Sequence, residues 1–230
     1  MGTYMIAAAP PSPPAYEVLV FTRTEGYRHD AIPDAVAAMR EIGAGAGFRV
    51  DATEDPATFD PVRLKRYRAV VFLLTSGDVL DPGHEAALQE FVRQGGGFVG
   101  VHSACDTEYG WPWYGHLVGT RFAWHPWIQQ ATVRVVADHP STRGLPREWP
   151  RTDEWYNYRH LPAGVTVVAS LDERTYWGGW HGRSHPVAWY RDFEGGRTFY
   201  TAMGHTRESY ADPLFKAHLA GAIRFAAGVI

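Results

Sequence analysis

Three histidines of this 230-residue chain stand where an apolar run gives way to polar residues. His29 comes after the run Val18 to Phe21, by way of Gly26, Tyr27 and Arg28. His102 follows Phe98 to Val101 directly, and His205 follows the segment Arg197 to Thr201 through Gly204. Carboxylates occur in comparable places: Asp78 in the turn after Leu74, Asp106 shortly after His102, and Glu154 beside Asp153. An imidazole can hold or release a proton near neutral pH, so histidines with carboxylate partners suit general acid and base work. The same groups are common ligands of divalent metals. No compact spacing such as His-Glu-x-x-His occurs, so the sequence requires no cofactor while its side chains could hold a divalent ion. A lone histidine near a strand end is more often a hydrogen-bonding residue than a catalyst, and convergence of several on one edge is what lowers that reading. His102 is the strongest of the three, because a polar residue on a tight strand-to-helix turn is presented at the sheet edge.

Those positions matter only if one sheet carries them. Val18 to Phe21, Ala69 to Leu74 and Phe98 to Val101 are continuous apolar runs, the pattern of strands buried on both faces, and Phe48 to Thr53 repeats the signal. Between them, Ala31 to Ile42 shows helical spacing, and Asp81 with Pro82 opens a second helix whose stripe is Leu88, Phe91 and Val92. Gly95 to Gly97 end that helix; they precede a strand and no Lys follows, so they read as a turn and not as a phosphate cradle. Further strand signals lie at Ala131 to Val136, Val165 to Leu171, Val187 to Tyr190 and Arg197 to Thr201, and a final helix is expected from Pro213 to Ala227. The pattern predicts an α/β fold: a single-domain, parallel, flavodoxin-like sheet with helices on both faces over residues 16–230. A flexible Pro-rich tail is expected over 1–15. In such a sheet ligands bind outside the carboxyl ends of the strands, where the three histidines fall.

Composition narrows the partners. With 45% hydrophobic and 20% charged residues the chain reads as one globular domain, and a net charge of -3 without a basic stripe argues against nucleic acid. Cys105 is the only cysteine, so no intrachain disulfide forms and a reducing compartment fits. No apolar run approaches the roughly 18 residues of a membrane span, and the expected location is cytoplasmic with no membrane partner. All nine tryptophans fall between Trp111 and Trp189. Aromatic faces with polar tips suit a sugar ring, and Trp155 and Tyr156 beside Asp153 and Glu154 form the best such group; the remaining tryptophans read as a cover for the sheet or a homo-oligomer interface.

The segments GYRHDAI (26–32), TSGDVL (75–80), GGGFVGVHSACDT (95–107), DEWYN (153–157) and GH (204–205) resemble those of the trehalose-utilisation (ThuA-like) family, a branch of the class I glutamine amidotransferase-like fold. In the amidotransferases the elbow reads glycine, apolar residue, cysteine; here Gly100 and Val101 are followed by His102. The resemblance therefore implies the fold without the thioester step, and no glutaminase activity. Cys105, three residues on, reads as a buried, inert thiol. The family implies a role in carbohydrate catabolism, on a disaccharide or 3-keto sugar, by a lyase, hydrolase or isomerase reaction. His102, His205 and Glu154 are then the expected catalytic groups, with Glu154 as an acid, and His29, Asp78, Asp106, Trp155 and Tyr156 the expected substrate contacts. The alternative is a non-catalytic sugar-binding or assembly module.

Overall fold

The computed structural model describes residues 14–230, so of the stretch expected to form a tail only Pro14 and Ala15 are described. The strands are β1 (Tyr16–Phe21), β2 (Phe48–Thr53), β3 (Tyr67–Leu73), β4 (Gly97–Val101), β5 (Phe122–Trp124), β6 (Gln129–Val135), β7 (Glu148–Asp153), β8 (Asn157–Tyr158), β9 (Thr166–Asp172), β10 (His185–Phe193) and β11 (Gly196–Thr201). The α-helices are α1 (Ile32–Ala46), α2 (Pro61–Leu64), α3 (Pro82–Arg93), α4 (Pro112–Val118), α5 (Arg207–Ala211) and α6 (Pro213–Ala226).

Helix starts follow a repeated local rule. Asp60, Asp81 and Asp212 each precede a proline, and each carboxylate accepts from backbone N–H groups of the first turn of α2, α3 and α6. The aspartate satisfies donors that no helical carbonyl can reach, and the proline sets φ where its missing N–H costs nothing. At the other end of α1, Gly47 takes the left-handed conformation that closes the helix.

Nine strands form one sheet in the order β2-β1-β3-β4-β11-β10-β9-β6-β7. From β2 to β11 every neighbour is parallel; from β11 to β7 every neighbour is antiparallel. The parallel half matches the continuous apolar runs. β3 and β4 are buried along almost their whole length, and each fully buried Val, Leu or Phe there contributes about 1.5–3 kcal/mol. Both faces are covered. Gly97 lies so close to Ala226 of α6 that a Cβ would come within 2.2 Å of its carbonyl, whereas the next residue, Phe98, packs on Tyr114 of α4. Successive strand residues face opposite sides, so α6 and α4 lie on opposite faces.

The antiparallel half carries a consequence for direction. Four successive reversals from β11 restore the original sense at β7, so β7 leaves the sheet at the same edge as β4 and β11. In a flat sheet four steps of about 4.8 Å would hold β7 some ~19 Å from β11. Yet the carboxylate of Asp153, the last residue of β7, accepts from the N–H groups of Gly204 and His205 just past β11, at 2.9 and 3.0 Å. The sheet must therefore coil until its last strand returns to its middle, in the sense that strand twist accumulates.

Candidate functional site

His102 is the first residue after β4 and sits at φ 54°, a left-handed conformation that costs a residue with a Cβ about 1–3 kcal/mol. Two contacts hold it there. Its Nδ1 lies 2.7 Å from the Ala202 carbonyl, and its own carbonyl accepts from the Tyr200 hydroxyl at 2.7 Å. Because a carbonyl only accepts, Nδ1 carries a hydrogen, and Nε2 is the position left to face the site. The ring of Tyr156 packs on His102 at 4.2 Å between centroids, which fixes the imidazole plane from behind.

Around His102 Nε2 the other groups converge. His205 Nδ1 is 3.2 Å away and Glu154 Oε2 is 3.3 Å away, and those two are 3.1 Å from each other. The ring of His29, from the loop between β1 and α1, stands edge-on to both other rings at 5.0 and 4.9 Å. His29, His102, Glu154 and His205 each offer one ligand-type atom, all within 4.8 Å of one another, and these four could hold a metal ion. Three of the four are buried, and His205 is half-buried. His29 Nδ1 is buried without a hydrogen-bond partner.

The electrostatics follow from this crowding. Burial pushes the pKa of His29 down to about 2, and the charges of His102 and His205 add to the effect, so its ring is neutral. Burial would raise the Glu154 carboxyl, but hydrogen bonds from His102 and His205 outweigh it and hold the group well below the usual carboxylate range. A carboxyl held that low favours its anionic form, so Glu154, expected as an acid, is better suited to balance charge on the histidines around it.

Positioning depends on Asp153, which the sequence shows only as a neighbour of Glu154. Asp153 is fully buried and accepts from the N–H groups of Gly204, His205 and Glu154, from Arg151 and from the Ser209 hydroxyl. One side chain thereby ties Glu154 to His205. Gly204 is at φ 109°, and a Cβ there would strike Tyr210 and Phe215, so the turn that presents His205 needs a glycine. A second residue missed by sequence is His125, just after β5. Its Nδ1 lies 3.1 Å from Glu154 Oε1 and 2.9 Å from the Pro126 carbonyl, both acceptors, which leaves Nε2 free on a ring that is 40% exposed. The only sequence signal is a histidine inside the aromatic stretch FAWHPW.

Several expected contacts are placed elsewhere. Trp155, expected to offer a face for stacking, is 0% exposed and donates its indole N–H to the Gln129 carbonyl; the alternation of buried positions along β7 continues into it and turns it inward. Tyr156 is likewise buried, behind His102. Asp78 is exposed and lines a separate groove with Arg23, Asp81 and His84, since the turn after β3 swings it away from the histidines. The Asp106 carboxylate accepts from the Tyr109 hydroxyl at 2.6 Å and is not among the four converging groups. Cys105 is completely buried, and burial pushes its thiol up to about 12, so it is no nucleophile at neutral pH. The tryptophans divide: Trp149, Trp155 and Trp189 are core, while Trp127, Trp177 and Trp180 are exposed. No helix among the described residues is long and apolar enough to cross a membrane.

The family model described as ThuA, trehalose utilisation, matches residues 17–226. Among solved structures, a ThuA-like protein from Bacteroides uniformis shares 23% identity over 96% of this chain and 95% of its own, with a TM-score of 0.78. Another ThuA-like protein, from Parabacteroides merdae, shares 20% over 94% and 90%, with a TM-score of 0.77. A GMP synthase component from Thermoplasma acidophilum shares 15% over 93% and 94%, with a TM-score of 0.54, a likeness of fold alone. No curated protein matches the sequence.

Proposed function

We propose that this chain, which belongs to the ThuA family of trehalose utilisation, is an enzyme that opens or rearranges a 3-keto disaccharide at the centre formed by His29, His102, Glu154 and His205. The observation that carries this reading is the convergence of three imidazoles and one carboxylate, all within 4.8 Å, at the carboxyl edge of the sheet. A structural histidine needs one hydrogen bond; four ionisable groups meeting at one point suit a reacting oxygen.

The chemistry runs through the carbonyl. A ketone at C3 acidifies the hydrogen on C2. With the C3 oxygen directed at the imidazole cluster, a proton carried by one of these imidazoles meets the charge that builds on it, the His102 ring being held by Ala202 and Tyr156 and the backbone of His205 by Asp153. His125 Nε2, free and at the mouth of the site, takes the C2 proton. The electron pair then expels the C1 oxygen substituent, which takes from His125 the proton removed from C2; for an isomerisation His125 returns that proton instead to a neighbouring carbon. Glu154 touches His102, His205 and His125, and as a fixed anion it stabilises positive charge on any of them. Tyr27, 64% exposed and edge-on to His29 at 4.8 Å, stands at the same mouth. Glutamine hydrolysis has no nucleophile here, with His102 at the elbow and Cys105 sealed in the core.

Turnover of trehalose and other disaccharides, and of their 3-keto forms, followed by NMR, tests this. Consumption of the keto sugar by the wild type and its loss in Glu154→Gln is the expected result; no consumption of any member of the panel overturns it. One observation favours a binding or assembly module instead: the exposed rings of Trp127 and Trp177 are stacked in parallel at 4.7 Å, a ledge that chemistry does not require. Saturable sugar binding without turnover, abolished by Trp127→Ala, would establish that reading.

A further inference from the structure

The geometry points to a divalent transition-metal site in this chain, with His102 Nε2, His205 Nδ1 and Glu154 Oε2 as one face of the coordination sphere and His29 as the fourth ligand. The inference rests on reading this cluster as the reactive centre, although metal uptake is measured without any sugar.

The three contacts of 3.2, 3.3 and 3.1 Å form a nearly equilateral triangle. With metal–ligand bonds of about 2.0–2.2 Å, tetrahedral ligands lie about 3.3–3.5 Å apart, so the triangle is already close to one tetrahedral face. Hydrogen bonding alone leaves it poorly satisfied. His102 Nδ1 is committed to the Ala202 carbonyl, so Nε2 is the nitrogen that faces Glu154 Oε2, at 3.3 Å. A hydrogen on His205 Nδ1 can point at only one of its two neighbours. Three electron-pair donors facing a common point are relieved by one cation placed there.

The surroundings have the character of a metal shell. A ligating histidine ordinarily donates its other N–H to a carbonyl or carboxylate, as His102 does to Ala202, and that bond fixes both tautomer and ring orientation. His29 contributes an imidazole with Nδ1 buried and unpartnered. The full set spans up to 4.8 Å, more than that tetrahedral spacing by about 1.3 Å, so His29 completes the shell only by swinging its ring inward. Three imidazoles and one carboxylate select Zn²⁺, Co²⁺, Ni²⁺ or Fe²⁺ over Mg²⁺ or Ca²⁺, which prefer all-oxygen shells. His125 contacts only the remote oxygen, Oε1, of Glu154 and lies outside the set, so it keeps its proton chemistry.

Untagged protein, stripped with a chelator, is titrated with Co²⁺ and Zn²⁺. We expect one ion per chain by calorimetry and elemental analysis, a visible Co²⁺ absorption band displaced by Zn²⁺, and no displacement by Mg²⁺. Glu154→Gln, isosteric and therefore the variant most certain to fold, is expected to weaken uptake at least about 10-fold, and His102→Ala or His205→Ala to abolish it. Circular dichroism establishes that each variant is folded. Failure of folded wild type to bind any of the four ions stoichiometrically, or undiminished uptake by both folded His102→Ala and Glu154→Gln, overturns the inference. The two readings fail separately. Keto-sugar turnover by a folded protein that takes up none of the four ions discards the metal and keeps the activity; one tightly bound ion with no turnover discards the activity and keeps the metal.

Discussion

In the parallel half of the sheet, β1, β4 and β11 release His29, His102 and His205 from loops at their own carboxyl ends, so each histidine is placed by the strand that precedes it. In the antiparallel half, Glu154 arrives only because four strand pairings coil β7 back to the centre and Asp153 fastens it there. The first half positions its groups locally; the second positions a single carboxylate through a long-range closure. Substitutions should therefore separate activity from stability in one half and couple them in the other.

The largest effect is expected from His102→Ala, with loss of keto-sugar turnover of about 100-fold to 10,000-fold, the range for removing a positioned catalytic group. Unfolding in urea should change by about 1–2 kcal/mol, because the buried imidazole packs on the core residue Tyr156 but is smaller than the apolar side chains of a core truncation. A loss near ~3 kcal/mol, typical of a core truncation, would erase the contrast between the halves.

Asp153→Ala tests the closure. It leaves the buried Arg151 guanidinium without its 3.1 Å partner and frees the Gly204 and His205 N–H groups, so denaturation should show a loss of about 3–5 kcal/mol together with loss of turnover. Turnover near wild type in a folded Asp153→Ala protein would show that the coil is not what places His205.

Within the aromatic segment, Trp155→Ala should cost about 3–5 kcal/mol, and Trp127→Ala less than about 0.5 kcal/mol, since one is sealed in the core and the other is 62% exposed. Equal losses would mean that the division into core and surface tryptophans is wrong.

The last test is in pH. Burial depresses His139 and His218 to about 4 in the folded chain, against about 6.5 unfolded. Below about pH 6.5 the unfolded chain takes up protons that the fold refuses, so stability should fall as pH drops from about 6.5 to 4, by up to about 1.4 kcal/mol per pH unit for each histidine. Urea titrations at about pH 7, 6, 5 and 4 measure the slope, and His218→Asn should reduce it.

The same contrast explains what could be read from the residues alone. The parallel strands were legible because a strand buried on both faces is a continuous apolar run whatever its partners, and the Asp81-Pro82 pair announced α3. His29, His102 and His205 followed from strand ends, and Glu154 from its place in DEWYN. Trp155 was misplaced because whether an aromatic face points to solvent depends on which way β7 turns after a coil of four strands, and no local pattern records that. His125 and Asp153 escaped for the same reason: each matters only through a contact with a residue distant in sequence, His125 with Glu154 and Asp153 with His205.

The closure by Asp153 also sets when the centre can exist during synthesis. Its members are drawn from residue 29 to residue 205, and the turn bearing the last of them is held by a carboxylate from a much earlier strand and by the ring of Phe215 in α6. A chain cut after β4 carries His29 and His102 but neither Glu154 nor His205. On the proposed reading, a chain cut before Phe215 should therefore show no keto-sugar turnover even where His205 is present, because the turn that carries it has lost its support.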